Sequence, residues 1–361
     1  VSGSFRVVDA GVRKGRFNIA LDQAMIECHQ AGLIPDSIRF IHFPPTALIG
    51  RHQELGTELD LEYCRAHGIC AGRRITGGGA IYLDEGQLGW ALVFARRTLR
   101  SAALGDVAKA ICEAVATGLG RFGLDARYRP RNDIEIGGRK VSGTGGFYDG
   151  DTLIYQGTVL VDLNPERMLG ALRVPRAKLA KRGLDSAAQR VVTLRELLGE
   201  KTPTMAELEG ALLDGFRERL GLVAERGALS GNEEELARQL YASQMGRDDF
   251  VAEIDRPPGG GDVLTGTHIS PGGTITSYLR LEGASGSRIG HVLITGDFFV
   301  APPRLVFDLE AFLRGTEVAA LGSTVDAFFS AHPVGALSVT PTDFRRSLEL
   351  ALDATAASAG D

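Results

Sequence analysis

Hydrophobic positions along the chain switch between a period near 3.6 and a period of two. Phe17, Leu21, Ala24, Met25 and Cys28 recur at steps of three and four, which predicts an amphipathic helix over about residues 17–31. Residues 38–43 and 46–50 read as two strands, split by Pro44-Pro45, which cannot sit inside a ladder. Residues 59–67 suit a short helix. Leu88, Trp90, Leu92 and Phe94 alternate, as in a strand buried on at least one face. Leu104, Val107, Ala108, Ile111, Cys112, Val115 and Leu119 mark a long helix. Residues 132–136 and 139–142 flank Gly137-Gly138, the signature of a hairpin closed by a type I′ turn, and 153–161 is a further strand.

The second half continues the mixture. A helix over 203–220 opens with Thr204 and Glu207, spaced as a capping box, and a shorter one follows at 233–242. Pro257-Pro258-Gly259-Gly260-Gly261 is the clearest linker. Beyond it come strands at 274–281 and 289–295 and helices at 305–313 and 341–352, the last with Pro341 in its first turn. With 361 residues, the chain is too long for one ordinary core. The expectation is an α+β protein with a larger domain over 1–255 and a smaller α+β domain over 256–361. The Ala- and Ser-rich last residues are expected to fray.

Composition narrows the class. A hydrophobic fraction of 44% and a charged fraction of 24% are ordinary for a globular protein. The net charge of −5 gives no broad basic footprint for nucleic acid. No apolar run reaches the length of a membrane span and the N-terminus lacks an export pattern, so the expected location is the cytoplasm. Cys28, Cys64, Cys70 and Cys112 form no CxxC pair and read as free thiols of a reducing compartment.

Three segments carry candidate chemistry. Arg73-Arg74-Ile75-Thr76-Gly77-Gly78-Gly79-Ala80-Ile81-Tyr82 places three residues without Cβ atoms between two strands, behind two arginines. Such a stretch lets backbone N–H groups approach an anion, although a bare triple glycine is more often a flexible turn. It is neither a Walker A loop nor a dinucleotide fingerprint. The second segment runs from Asn132 to Gly146. Lys140, two residues past the turn and before Gly143-Thr144-Gly145-Gly146, can serve as a point charge on a phosphate or carboxylate; an isolated hairpin lysine is more often merely solvated. Asp133 can hold a metal ion or accept backbone hydrogen bonds in the turn. The third is the basic run Arg173, Arg176, Lys178, Lys181, Arg182 and Arg190, a solvated face or a surface for a phosphorylated ligand or an acidic partner.

Order and spacing change these odds. Pro-Pro-Thr-Ala-Leu-Ile-Gly-Arg-His-Gln (44–53), the 73–82 segment, Arg131-Asn132-Asp133, Arg139-Lys140-Val141-Ser142-Gly143, Gln156-Gly157-Thr158, Lys178-Leu179-Ala180-Lys181-Arg182-Gly183 and Arg190-Val191-Val192-Thr193-Leu194 follow one another as motifs. The series, over about residues 15–200, resembles the lipoate–protein ligase family within the biotin/lipoate protein ligase superfamily. Gly296-Asp297-Phe298-Phe299 and the helix around Leu309-Glu310 look, less specifically, like that family's accessory domain. The resemblance implies a large mixed-sheet catalytic domain that turns lipoate, or octanoate, and ATP into an acyl-adenylate. The acyl group then passes to a lysine of a lipoyl carrier domain, such as an acyltransferase subunit of a 2-oxoacid dehydrogenase or a glycine-cleavage H protein. It assigns Arg74, Gly79, Ala80, Ile81 and Tyr82 to ATP, Gly77 and Gly78 to the acid substrate, and Lys140 to the carboxylate and α-phosphate. Mg2+ is expected on the phosphates, with Asp133 as its candidate ligand. An apolar slot for the chain is expected from Phe17, Leu21 and the strand around Trp90, because each buried methylene contributes about 0.8 kcal/mol. The protein is expected to act as a monomer, without membrane or nucleic acid.

Leu83, before Asp84, and Gln156 stand where the family often has histidine, which leaves the choice of acid open. The nearest rival is an ATP-independent transferase that carries octanoyl or lipoyl groups on a cysteine; no cysteine lies after Cys112. A biotin ligase ranks third, since its glycine- and arginine-rich signature is missing. A non-catalytic binder of lipoyl domains is the alternative outside enzymes.

Overall fold

The structure is a computed structural model that describes residues 4–99, 103–130, 132–173, 190–256, 258, 260, 262–283, 286–332 and 338–358. Arg131, Arg176, Lys178, Lys181 and Arg182 lie outside the described residues, as do Pro257, Gly259 and Gly261 of the expected linker.

The N-terminal part carries strands β1 (Ser4–Val12), β2 (Ser37–His42), β3 (Thr46–Ile49), β4 (Cys70–Arg73), β5 (Ile81–Leu83) and β6 (Gln87–Ala95). They are followed by β7 (Ala126–Arg129), β8 (Asp133–Ile136), β9 (Arg139–Asp149), β10 (Thr152–Leu160) and β11 (Val223–Arg226). Eight of these form one sheet in the order β11-β1-β2-β6-β10-β9-β8-β7, parallel at β11-β1-β2 and antiparallel elsewhere. The proline pair after β2 takes the chain out of this sheet, and β3 becomes the centre of a second sheet, β4-β3-β5. The glycine triplet is the connection between β4 and β5, so this small sheet fixes its position.

Helices α1 (Gly15–Gln30), α2 (Leu104–Gly120), α3 (Met205–Leu220) and α4 (Gly231–Leu240) cover the large sheet. All nine positions of β6 are buried, as a central strand covered on both faces must be. Thr204 caps α3 in the expected box with Glu207. Gly118 of α2 and Gly215 of α3 let the two helices touch backbone to backbone: a Cβ on Gly118 would lie 2.6 Å from the Ala211 carbonyl oxygen.

After residue 262 the chain forms a meander of β12 (Val263–Ser270), β13 (Gly273–Glu282) and β14 (Arg288–Gly296), backed by α5 (Leu305–Leu313), α6 (Leu321–Ala331) and α7 (Pro341–Ser358). This C-terminal unit has its own core, with Ile275, Leu279, Ile294, Phe298, Phe344 and Leu348 among its members. No helix among the described residues is long and apolar enough to cross a membrane.

Residues 143–146, read from sequence as a glycine-rich, anion-friendly segment, are the middle of β9, paired residue for residue with β10. The glycines there remove side chains from a strand face rather than loosening a loop. The sequence reading also passes over β1, β7, β11, β12 and α6. Most of these strands are short or exposed, so apolar alternation is weak in them.

Candidate active site

Lys140 is positioned by its backbone. Gly137 and Gly138 adopt φ of 57° and 78°, the left-handed pair a type I′ turn requires. The Lys140 N–H donates to the Arg190 carbonyl at 2.8 Å, and its own carbonyl accepts from Val192 N–H at 2.9 Å. A register shift between β8 and β9 sets Lys140 opposite Glu135. Its ammonium then reaches Asp133 Oδ1 at 2.6 Å. This path crosses Gly143, where a Cβ would lie 2.7 Å from Lys140 Nζ. Gly143 is thus required by the lysine's trajectory.

Arg74 is buried and cradles the glycine segment from inside. Its guanidinium donates to the Leu48, Gly77 and Gly79 carbonyls at 2.9, 3.1 and 2.8 Å. Among the described residues, no carboxylate pairs with it. Burial pulls its pKa down to about 10, so it stays charged at neutral pH without a counter-ion. Arg73 serves elsewhere: it ties the 50–53 turn to the carbonyls of Val251 and Ile254.

Gly77 and Gly78 have a second neighbour that sequence reasoning missed. The loop after β14 packs against them, with Gly78 N–H donating to the Phe298 carbonyl at 3.0 Å. A Cβ on Gly77 would collide with that same carbonyl oxygen. Gly78 has φ of +90°, and its Cβ would lie 2.5 Å from the Phe299 ring. At these two positions glycine is required by the approach of the C-terminal unit. The N–H groups of Gly77, Gly79 and Ala80 have no acceptor among the described residues, and all three residues border the cavity.

That cavity has a volume of about 340 Å³, within the usual range for small-molecule sites. Strand register puts Ile41, Gly89, Gln156 and Gly145 on one face of the sheet, and these form its floor. Ile19, Phe43, Leu48, Leu83, Trp90 and Leu160 give it an apolar lining; Arg74, Thr76, Asn132, Lys140 and Gln156 give it a polar one. Ala80, Ile81 and Tyr82 also border it. The Gln156 amide oxygen is buried without a partner, the state of a group that a bound polar molecule can satisfy.

Phe17 and Leu21, the expected slot residues, are not on this cavity. Phe17 packs on the Tyr241 ring at 5.7 Å, and Leu21 is fully buried in the main core. Ile19 and Asp22, three residues apart on α1, face the cavity instead. Asp22 is paired at 2.6 Å with Arg39, itself fully buried and bonded to Asn18. Burial raises the Asp22 carboxyl to about 6 against the pull of Arg39. A charged residue at a core-facing position of an otherwise apolar helix face was the available signal for Asp22.

The residues present do not form a cage for Mg2+ at Asp133. Its carboxylate is held by Lys140, and Arg129 lies 3.9 Å away while also bonding Glu135 at 2.6 Å. Among the described residues, the one group with metal-like spacing is Asp9, His42 and Glu209. His42 alternates to the sheet face opposite Ile41, so the trio is outside the cavity. No cysteine lines the cavity either. Cys28, Cys64 and Cys112 are buried, and burial pushes the Cys64 thiol up to about 11. Cys112 lies 3.4 Å from the Thr144 hydroxyl and 3.5 Å from that of Tyr155, with its pKa also raised by burial.

An apolar slot beside a buried arginine, a half-buried lysine and unused backbone N–H donors, on a mixed sheet flanked by helices, has the chemistry to receive a small organic acid. Residues 14–217 match the lipoyl protein ligase A/B catalytic domain, and the chain belongs to that family. The octanoyltransferase LipM of Kyrpidia tusciae is 29% identical over 266 residues, covering 67% of this chain and 96% of its own. The bi-partite lipoate protein ligase of Thermoplasma acidophilum, from a structural analysis that includes its E2 lipoyl domain, superimposes with a TM-score of 0.62 at 25% identity. It covers 71% of this chain and 98% of its own. A lipoate-protein ligase A bound with ATP gives a TM-score of 0.61 at 26% identity, over 70% of this chain and all of that one.

Proposed function

We propose that the chain is an ATP-dependent lipoate–protein ligase, which activates lipoate or octanoate as an acyl-adenylate and transfers it to a lysine of a lipoyl carrier domain. The observation that carries this reading is Arg74, a buried cation without a carboxylate partner beside the cavity, with Lys140 on the same cavity and an apolar slot between its walls. A carboxylate that attacks an α-phosphate brings two anions together, and fixed cations with preorganised N–H donors offset that repulsion. The carboxylate oxygen bonds to the α-phosphorus, and pyrophosphate departs with the electrons of the broken P–O bond. The carrier amine then attacks the acyl carbon, and AMP leaves.

In this reading Lys140 exchanges its Asp133 partner for the anions of the reaction. Gly79 and Ala80 offer backbone N–H groups to the nucleotide, with Ile81 and Tyr82 at its edge. Arg74 acts through the glycine segment, since its donors already engage three carbonyls of the chain. Mg2+ would enter on the phosphates, as Asp133 alone makes no metal cage. Residues 1–255 would form the catalytic domain and 256–361 the accessory domain.

The similarity to LipM favours a second reading, octanoyl transfer between carriers without ATP. A thioester route needs a thiolate at the acyl slot. The positions of the four cysteines weigh against it, because Cys112 sits behind Thr144. Incubation with magnesium-ATP and lipoate, octanoate or biotin decides the matter. Pyrophosphate release that depends on lipoate or octanoate supports the ligase. Release with none of the acids, together with octanoyl movement from a loaded carrier to a fresh acceptor, supports the transferase.

A further inference from the structure

Phe299 belongs to the C-terminal unit yet lines the cavity of the catalytic part. The loop that presents it is held rigidly. Asp297 Oδ1 accepts from Thr274 N–H at 2.6 Å, the Phe298 ring is fully buried against Phe344, and Phe299 N–H donates to Ser338 Oγ at 2.9 Å. The contact with the catalytic part is equally specific. Gly296 N–H donates to the His52 carbonyl at 3.0 Å, and Gly78 N–H to the Phe298 carbonyl at the same distance. Two glycines, one in the β4–β5 connection and one on β9, make room for one ring: a Cβ on Gly78 would lie 2.5 Å from it, and one on Gly145 would overlap it.

The location of that ring has chemical meaning. Gly143 and Gly145 face the same side of β9 and stand about 7 Å apart. The first is crossed by the Lys140 ammonium, and the second is covered by the Phe299 ring. The ring is therefore beside the cation, at the reacting end of the site rather than at the far end of an acyl slot. A mixed anhydride formed there is open to attack by water, and an apolar cover on the reacting end slows that loss.

We propose that Phe299 is the water-excluding cap of the activation centre, supplied by the C-terminal unit and seated on Gly78 and Gly145. This rests on the ligase reading. Phe299 is a positioning residue: it neither donates nor accepts a proton, and its effect is on the partition of the activated acid between water and the carrier amine. Phe299→Leu keeps an apolar cover, whereas Phe299→Ala removes it. The Gly78 amide reports docking independently of turnover, because its bond to the Phe298 carbonyl does not involve the Phe299 side chain.

The test uses the full chain with magnesium-ATP and the acid that wild type accepts. AMP released without a carrier is compared with acyl carrier formed when one is present, and hydrogen exchange is followed at residues 77–80. Phe299→Ala is expected to raise the ratio of AMP lost to carrier acylated at least tenfold, with Gly78 still protected and Phe299→Leu within about twofold of wild type. A wild-type ratio in Phe299→Ala, in a chain whose wild type is active, overturns the cap. Equal increases in the Ala and Leu variants overturn it too. Absence of pyrophosphate release by wild type overturns the ligase reading, and the cap with it.

Discussion

Lys140 owes its position to backbone hydrogen bonds with Arg190 and Val192, and only the aim of its ammonium depends on Asp133 and Gly143. This separates folding from chemistry at a single residue. Gly143→Ala confronts the flexible end of the lysine with a methyl group, which the chain can evade by moving. Expected is a loss of acid activation of at least tenfold with stability within about 1 kcal/mol of wild type, read by pyrophosphate release and denaturant titration. Unchanged activity in that variant would mean that the trajectory of the lysine over Gly143 is not the working one. The sequence showed the glycines of 77–79 and 143–146 as one kind of signal, anion-friendly backbone. The structure gives them separate tasks: Gly77 and Gly78 receive the second unit, Gly143 clears a lysine, and Gly145 receives a phenylalanine. Apart from Gly143, whose lysine is three residues away, these distinctions depend on partners more than a hundred residues away and have no local trace. Arg74 differs in that its partners are near in sequence. Its place before the glycines was legible, but its three carbonyl partners were not.

At the scale of elements, strong periodicity was readable and weak periodicity was not. α1, α2 and α3, the hairpin β8-β9 and the centre of β6 follow from apolar spacing, turn glycines and the Thr204 cap. β11 is exposed at all four of its positions, so no alternation marked it. The face of α1 that meets the cavity was also misjudged, since Phe17 and Leu21 fit a core stripe as well as a ligand slot. In the C-terminal unit, α5 carries Glu310, whose carboxylate accepts Ile294 N–H from β14 at 2.7 Å. Burial pushes its pKa from 4.5 to about 7, and the Ile294 bond opposes that only in part. Between those two values the folded state holds more protons than the unfolded one, so this group's contribution to stability falls as pH rises. Glu310→Gln keeps the acceptor and removes the titration. Its stability relative to wild type should therefore rise from pH 5 to pH 8, by at most roughly 3 kcal/mol. A difference independent of pH, measured by thermal melts, would refute the assignment.

Across the whole molecule, the two parts meet through the 50–54 turn, which the sequence presented only as a motif. The His52 ring stacks on Phe298 at 5.3 Å, and Arg51 lies over Phe307 at 4.7 Å. Glu54 Oε1 accepts the hydroxyls of Tyr278 and Thr295 at 2.8 and 2.9 Å. Since Glu54 is buried, Glu54→Ala strands both hydroxyls at a cost of about 1–3 kcal/mol each. Calorimetry of that variant should show the C-terminal unit melting at a lower temperature than the rest, and a single unshifted transition would show that the contact contributes nothing to docking. The same interface brings Phe299 to the cavity, so docking and protection of the activated acid from water are expected to fail together when it is broken.

The central claim is that this chain joins an acid to AMP with Lys140 as the fixed cation. Acid-dependent exchange of radiolabelled pyrophosphate into ATP, by wild type and by Lys140→Ala, tests it most directly. The account predicts exchange with lipoate or octanoate in wild type and loss of at least a hundredfold in a folded Lys140→Ala. No exchange with either acid in a folded wild-type protein, or full exchange without the lysine, would contradict it.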